Sequence, residues 1–188
     1  DDLEAGIEAL RGGTSRARYI AERDTTTAAH RETVARAVQW VLGRQPEPAG
    51  RDYWADRLAG GLTLRALIVN LLASPELYAR GGGTPEGYVE QVYRVALDRP
   101  ADAAGVEYWA DRVSAGEPRH RVASAFYGTP ESRRTRVAAA YDEVLRRSPE
   151  PGALSFWADR LATRDDLVLR RELMASSEYF GRSATLPL

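Results

Sequence analysis

A chain of 188 residues with 44% hydrophobic and 28% charged residues has the apolar content of a folded protein and is not a disordered one. Its net charge of −1 lacks the basic excess of a protein that tracks nucleic-acid phosphates or an anionic membrane. No apolar run approaches the roughly 18 residues of a bilayer span, and the absence of cysteine excludes disulfides and thiol chemistry. All 26 basic side chains are Arg, and Asn occurs only at Asn70. A G+C-rich genome accounts for that bias; selection for the planar guanidinium fork is the functional alternative. The chain starts at Asp1 without a basic-then-apolar leader, so a processed form or an excised piece is expected.

Residues 1–27 read as a partial unit. Leu3 to Leu10 forms a short helical pattern, Gly12-Gly13 a stop, and Ser15 to Asp24 a second helix that opens on a capping residue. Residues 28–83 form the first full repeat. Val34, Ala37, Val38, Val41 and Leu42 make one stripe of an amphipathic helix. The stripe returns as Val89, Val92, Tyr93, Ala96 and Leu97 in repeat 2 (84–129), and as Val137, Ala140, Tyr141, Val144 and Leu145 in repeat 3 (130–188).

Each striped helix is expected to stop at Arg44, Arg99 or Arg147, where a cation suits the negative end of the helix dipole. Glu47, Asp102 and Glu150 then open a second helix, with Pro48 and Pro151 fitted to its first turn. A third helix from about Thr63 to Ala73 turns Leu67, Leu71 and Leu72 inward; its counterparts carry Val122, Phe126 and Tyr127, then Leu169, Leu173 and Met174. Ser74-Pro75-Glu76, Thr129-Pro130-Glu131 and Ser176-Ser177-Glu178 follow as helix-start signals. Gly81 to Gly83 interrupts repeat 1 and reads as a turn, whereas Pro130 to Leu145 reads as one long helix. That difference explains why Trp54 and Trp109 lie 55 residues apart but Trp109 and Trp157 only 48. With no alternating strand pattern, the fold class is all-α: about nine helices in three and a half tandem repeats, stacked into one elongated or compact array.

The second helices repeat aromatic, Trp, Ala, Asp, Arg. Helical spacing sets Trp54 over Leu58, Trp109 over Val113 and Trp157 over Leu161, a ridge that is expected to be buried. Tyr53, Tyr108 and Phe156 fall over Arg57, Arg112 and Arg160, at the edge of the core. Asp56, Asp111 and Asp159 point away from the Trp ridge. They pair with Arg44, Arg99 and Arg147 to form a clasp, or else are solvated surface acids. These edge rings are also candidate ligand-facing aromatics for sugar stacking, with packing at the core's edge as the plainer use.

Chemistry-bearing patterns are sparse. His30 and His120 are the only histidines, and neither a nucleophile elbow nor a phosphate-binding glycine loop occurs. Asp165-Asp166 reads as a capping cluster. Asp98 and Asp102 flank a turn and are the calcium candidates, but the Asp-x-Asp-x-Asp-Gly loop is missing. No cofactor, catalytic residue or metal ligand is therefore assigned.

Leu42-Gly43-Arg44, Leu97-Asp98-Arg99 and Leu145-Arg146-Arg147, the Pro-acid-Gly approach to Tyr-Trp, and the Ser/Thr-Pro-Glu signals together resemble the DUF4214 family over residues 30–182. Ala153 in place of Gly50 and Gly105, and Phe156 in place of Tyr, depart from the pattern. The resemblance implies a helical module of secreted or surface proteins of bacteria, with no catalytic residues to carry over; a more distant similarity is to phycobilisome linker domains. The resulting expectation is a non-catalytic extracellular or cell-surface module that binds a protein partner or a cell-envelope glycan. The competing expectation is a carboxylate-dependent enzyme acting on envelope polysaccharide, or an accessory domain of one. Differences among the copies, as at Arg51, Val106 and Leu154, are where function should show.

Overall fold

Ser and Thr side chains cap many of the helix starts. The computed structural model describes residues 15–183, which hold twelve α-helices and no strand. Leu3 to Leu10 and Gly12-Gly13 lie outside the described residues. Helix α1 (Arg16–Arg23) is capped by Ser15, and α2 (Thr27–Leu42) by Thr26, whose hydroxyl accepts from the Ala29 N–H at 3.2 Å. Repeat 1 continues with α3 (Pro48–Ala59), α4 (Leu64–Leu72) and α5 (Pro75–Arg80). Repeat 2 comprises α6 (Pro85–Leu97), α7 (Ala103–Ser114) and α8 (Arg119–Tyr127). Repeat 3 comprises α9 (Pro130–Leu145), α10 (Pro151–Arg160), α11 (Asp166–Ala175) and α12 (Ser177–Ser183). Ser74, Thr84 and Thr129 each satisfy an otherwise orphaned amide of the following turn, and a Pro sits in that turn, where its missing N–H costs nothing. The count exceeds the nine expected partly because α5 and α12 are separate short helices.

The three stripes lie inward. Val34, Val41, Val89, Val92, Ala96 and Val137 are fully buried, and α2, α4, α6 and α8 join repeats 1 and 2 in one core. Repeat 3 forms a smaller core of its own around Val137, Leu145 and Leu169. The array is not an open stack, because α1 packs on α11. Arg171 reaches Asp24 at 2.5 Å, and the Arg16 guanidinium lies 4.3 Å from the Phe180 ring centre. Among the described residues, no helix is long and apolar enough to cross a membrane.

Each striped helix ends one residue before its Arg, on a left-handed residue: Gly43 (φ 61°), Asp98 (φ 53°) or Arg146 (φ 51°). Glycine adopts this conformation freely and Asp tolerates it, whereas an Arg Cβ is crowded there. Arg146→Gly is therefore expected to raise stability by about 0.5–1 kcal/mol. Thermal unfolding checks this; a lower melting temperature would mean that the exposed Arg146 side chain makes a compensating contact.

Candidate functional site

The repeated arginines close a clasp, but not on the acids nearest in sequence. Arg44 donates from Nε and Nη2 to both carboxylate oxygens of Glu76, each at 2.6 Å. Arg99 grips Glu131 at 2.5 and 3.3 Å, and Arg147 grips Glu178 at 2.6 and 2.7 Å. Asp56, Asp111 and Asp159 are exposed on α3, α7 and α10, so the expected Arg–Asp pairing gives way to a fork onto the Glu of each helix-start signal. The reason is geometric. The left-handed residue before each Arg turns the side chain back toward the first turn of α5, α9 or α12, where the Glu stands.

A double-mutant cycle on Arg99 and Glu131 should show a coupling of up to about 1 kcal/mol, the scale of a half-exposed ion pair, and one on Arg99 and Asp111 none. The reverse ranking would refute the assignment. The Arg44 fork holds the Glu76 carboxyl below the usual carboxylate range. A depressed folded-state value contributes stability above the unfolded value of about 4.3, and that contribution is lost as pH falls through the folded value.

The aromatic pairs are alike in all three repeats. Tyr53 meets Trp54 edge-on at 5.2 Å, Tyr108 meets Trp109 at 5.1 Å, and Phe156 meets Trp157 at 5.2 Å. Arg57, Arg112 and Arg160 stand 5.4, 5.4 and 5.6 Å from the exposed rings and reach over the Trp rings too. The Trp ridge, expected to be buried, is only half-buried. The most deeply buried residue of each of these helices is the Ala after the Trp (Ala55, Ala110, Ala158), which lets the helix backbone approach the core closely. Val106 and Leu154 pack against the two cores, and Arg51 pairs with Asp52 at 3.2 Å, so these three copy-specific positions do not form a common surface.

A cleft of about 550 Å³ opens instead where repeat 3 leans on repeat 1. Its walls are largely apolar: Trp40 from α2, Leu64 and Ile68 from α4, Ala140 from α9, and Leu167 from α11. Trp40 is 38% exposed at its edge. Two ion pairs flank it, Arg36–Glu32 at 2.6 Å and Arg170–Glu143 at 2.5 Å. Burial, and then the nearby Arg170 cation, lower Arg36 from its ordinary value.

A polar network anchors the repeat 3 side. Arg136 donates to Asp166 at 2.8 Å, to the Ser132 hydroxyl at 2.7 Å and to the Tyr127 carbonyl at 2.9 Å, with its guanidinium 3.7 Å from the Tyr127 ring centre. The Tyr127 hydroxyl donates to the same carboxylate; burial, followed by that anion, holds its ionisation well above the usual range. Asp165 caps α11 through the Leu167 N–H at 3.0 Å, so only half of the Asp165-Asp166 pair is a cap.

Sequence reasoning missed Trp40 and Arg136, and took Asp166 for part of a helix cap. One signal was present: the buried register that holds Arg136 in repeat 3 holds Thr33 and Tyr88 in the others, so the three copies disagree at a core position.

Asp52, Glu76, Asp102 and Glu150 are shifted downward, by Arg31, Arg44, the Gly105 N–H and the Glu150 backbone respectively. A general acid needs the opposite shift. Asp98 is exposed at the end of α6 and Asp102 caps α7. Among the described residues no group of three or more His, Asp or Glu is placed to hold a metal ion.

A family model described as a domain of unknown function, DUF4214, matches residues 21–81 and again 69–136, spans that contain the first two clasps. No curated protein and no solved structure matches the chain. With more than half of its length under that match, the chain belongs to the DUF4214 family.

Proposed function

We propose that this chain is a non-catalytic interaction module whose cleft between repeats 1 and 3 receives an apolar side-chain cluster from a protein partner. The observation that carries the reading is the cleft itself: an open, largely apolar surface with a half-exposed Trp40 at its edge and charged pairs around it. That combination of aromatic anchor and charged surround matches the make-up of protein interfaces. A glycan would need many more polar groups in the walls. The exposed rings of Tyr53, Tyr108 and Phe156 are separate from the cleft, and each already lies beside a guanidinium. A site at the bacterial cell surface, which the family resemblance implies, is proposed on that ground alone.

The test uses proteins co-secreted with this chain and isolated cell walls as two separate baits. Retention of a purified co-secreted protein, weakened about 30-fold by Trp40→Ala with melting unchanged, is the expected result, on the scale of an interfacial Trp hot spot. Retention on protein-free cell walls that survives Trp40→Ala would replace the protein reading with a glycan one. Retention of neither would end it.

A further inference from the structure

Repeat 1 lacks a ring that the other repeats possess. The buried stripe carries Tyr93 in α6 and Tyr141 in α9, and the same register of α2 holds Val38. The surroundings of Tyr93 are well defined. Its hydroxyl lies so close to Gly105 that a Cβ there would collide with it. Its ring meets Phe126 edge-on at 4.8 Å, and the Arg99 guanidinium lies 5.0 Å from its centre. Asp102 and Glu131 are near enough to act on its ionisation, which burial raises first. Arg147 covers Tyr141 likewise, at 5.3 Å.

The repeat 1 counterparts of those five neighbours are Gly50, Leu71, Arg44, Glu47 and Glu76. All five line one cavity of about 330 Å³, which is also bounded by Val38 and Trp54. A Cβ on Gly50 would meet nothing within 4 Å. The cavity is therefore the space that a Tyr at position 38 would fill, with the rest of its setting kept. Arg44 is already fixed over it by the two-point grip of Glu76, so the cation needs no ordering when a ring arrives. The polar end is prepared as well. In repeat 2 the Gly105 N–H donates to Asp102 at 2.8 Å, but Glu47 makes no such cap, which leaves the first turn of α3 free to meet a hydroxyl. No residue lines both this cavity and the inter-repeat cleft.

The geometry points to repeat 1 as a binding site for a p-hydroxyphenyl group, which takes the place that Tyr93 occupies in repeat 2, its face toward Arg44 and its hydroxyl toward Gly50. The site does not depend on what the cleft binds.

The probe is p-cresol, titrated into the full chain and followed by the Trp54 indole N–H resonance, which Trp54→Phe assigns. A saturable shift is expected, with 4-methylcyclohexanol, similar in size but without a π face, binding about threefold or more weakly. Val38→Tyr should abolish the p-cresol shift and raise the melting temperature. Arg44→Gln, at an exposed position, keeps the test decisive should Val38→Tyr fail to fold: it should weaken p-cresol by about the same threefold and leave 4-methylcyclohexanol unchanged. An unstructured Tyr-containing peptide, run as a second ligand, separates a tyrosyl side chain from a free phenol as the source of the ring. A Trp54 signal that p-cresol does not move, equal binding of the two probes, or p-cresol binding that survives in folded Val38→Tyr would overturn the assignment.

Discussion

Arg136→Met is expected to destabilise the protein by about 3–5 kcal/mol, read from urea unfolding, because it strands a largely buried carboxylate. The side chains of Arg136 and Asp166 are 8% and 15% exposed, so water recovers little of either charge. Removing the guanidinium deprives Asp166 of its ion-pair partner at 2.8 Å and also frees the Ser132 hydroxyl and the Tyr127 carbonyl. Asp166 would keep only the Tyr127 hydroxyl, whose raised ionisation leaves it a neutral donor. The pair itself is not the source of the stability. Taking both charges out of water costs about as much as their attraction returns, so Arg136→Met with Asp166→Leu should recover most of the loss. A single-mutant cost below about 1 kcal/mol would mean that the pair is solvated after all. The network also joins the end of α8 to α9 and α11, beside the apolar cleft. Its loss should therefore loosen the cleft as well as the core, and weaken partner retention more than Trp40→Ala does.

The periodic features of the fold were legible because they depend on neighbours in sequence. Three stripes at helical spacing, Ser/Thr-Pro-Glu starts and the Pro130 to Leu145 helix follow from local rules of capping and amphipathicity. The clasp was half legible. Arg99 recurs with Asp111 and with Glu131 in every copy, and repetition alone cannot rank an acid 12 residues away against one 32 residues away. The left-handed turn at Asp98 decides it, and an Asp at that point gives little warning of a positive φ. The cleft was not legible at all. It exists because α11 packs on α4 while α2 and α9 supply the remaining walls, an arrangement between the first and third repeats that no pattern within one repeat encodes. Arg136 was hidden by its own chemistry: in a helix with Arg133 and Arg134 beside it, one more Arg reads as surface.

The turn between repeats 1 and 2 carries the other large effect. Gly87→Ala is expected to cost more than about 3 kcal/mol, although alanine favours a helix by nearly 1 kcal/mol over glycine. Gly87 lies in the first turn of α6, whose N-cap Thr84 accepts from its N–H at 3.1 Å. The helix start folds back against the Gly81 backbone at the end of α5, so closely that a Cβ on Gly87 would strike the Gly81 carbonyl. A Cβ on Gly81 would meet the Gly87 carbonyl carbon and oxygen and the Tyr88 nitrogen in turn. The obstacles are backbone atoms on both sides, which no rotamer change relieves. Relief requires α5 and α6 to separate, and α6 carries the fully buried Tyr88 and Val89 directly after the contact. Gly152→Ala in α10 is the control, since a Cβ there meets nothing within 4 Å and should raise stability by up to about 1 kcal/mol. Opposite signs at these two helical glycines, measured by the same unfolding assay, would establish backbone contact as the reason repeats 1 and 2 share one core. A Gly87→Ala protein as stable as the parent would mean that the Gly81 turn yields easily and that the shared core rests on side chains alone.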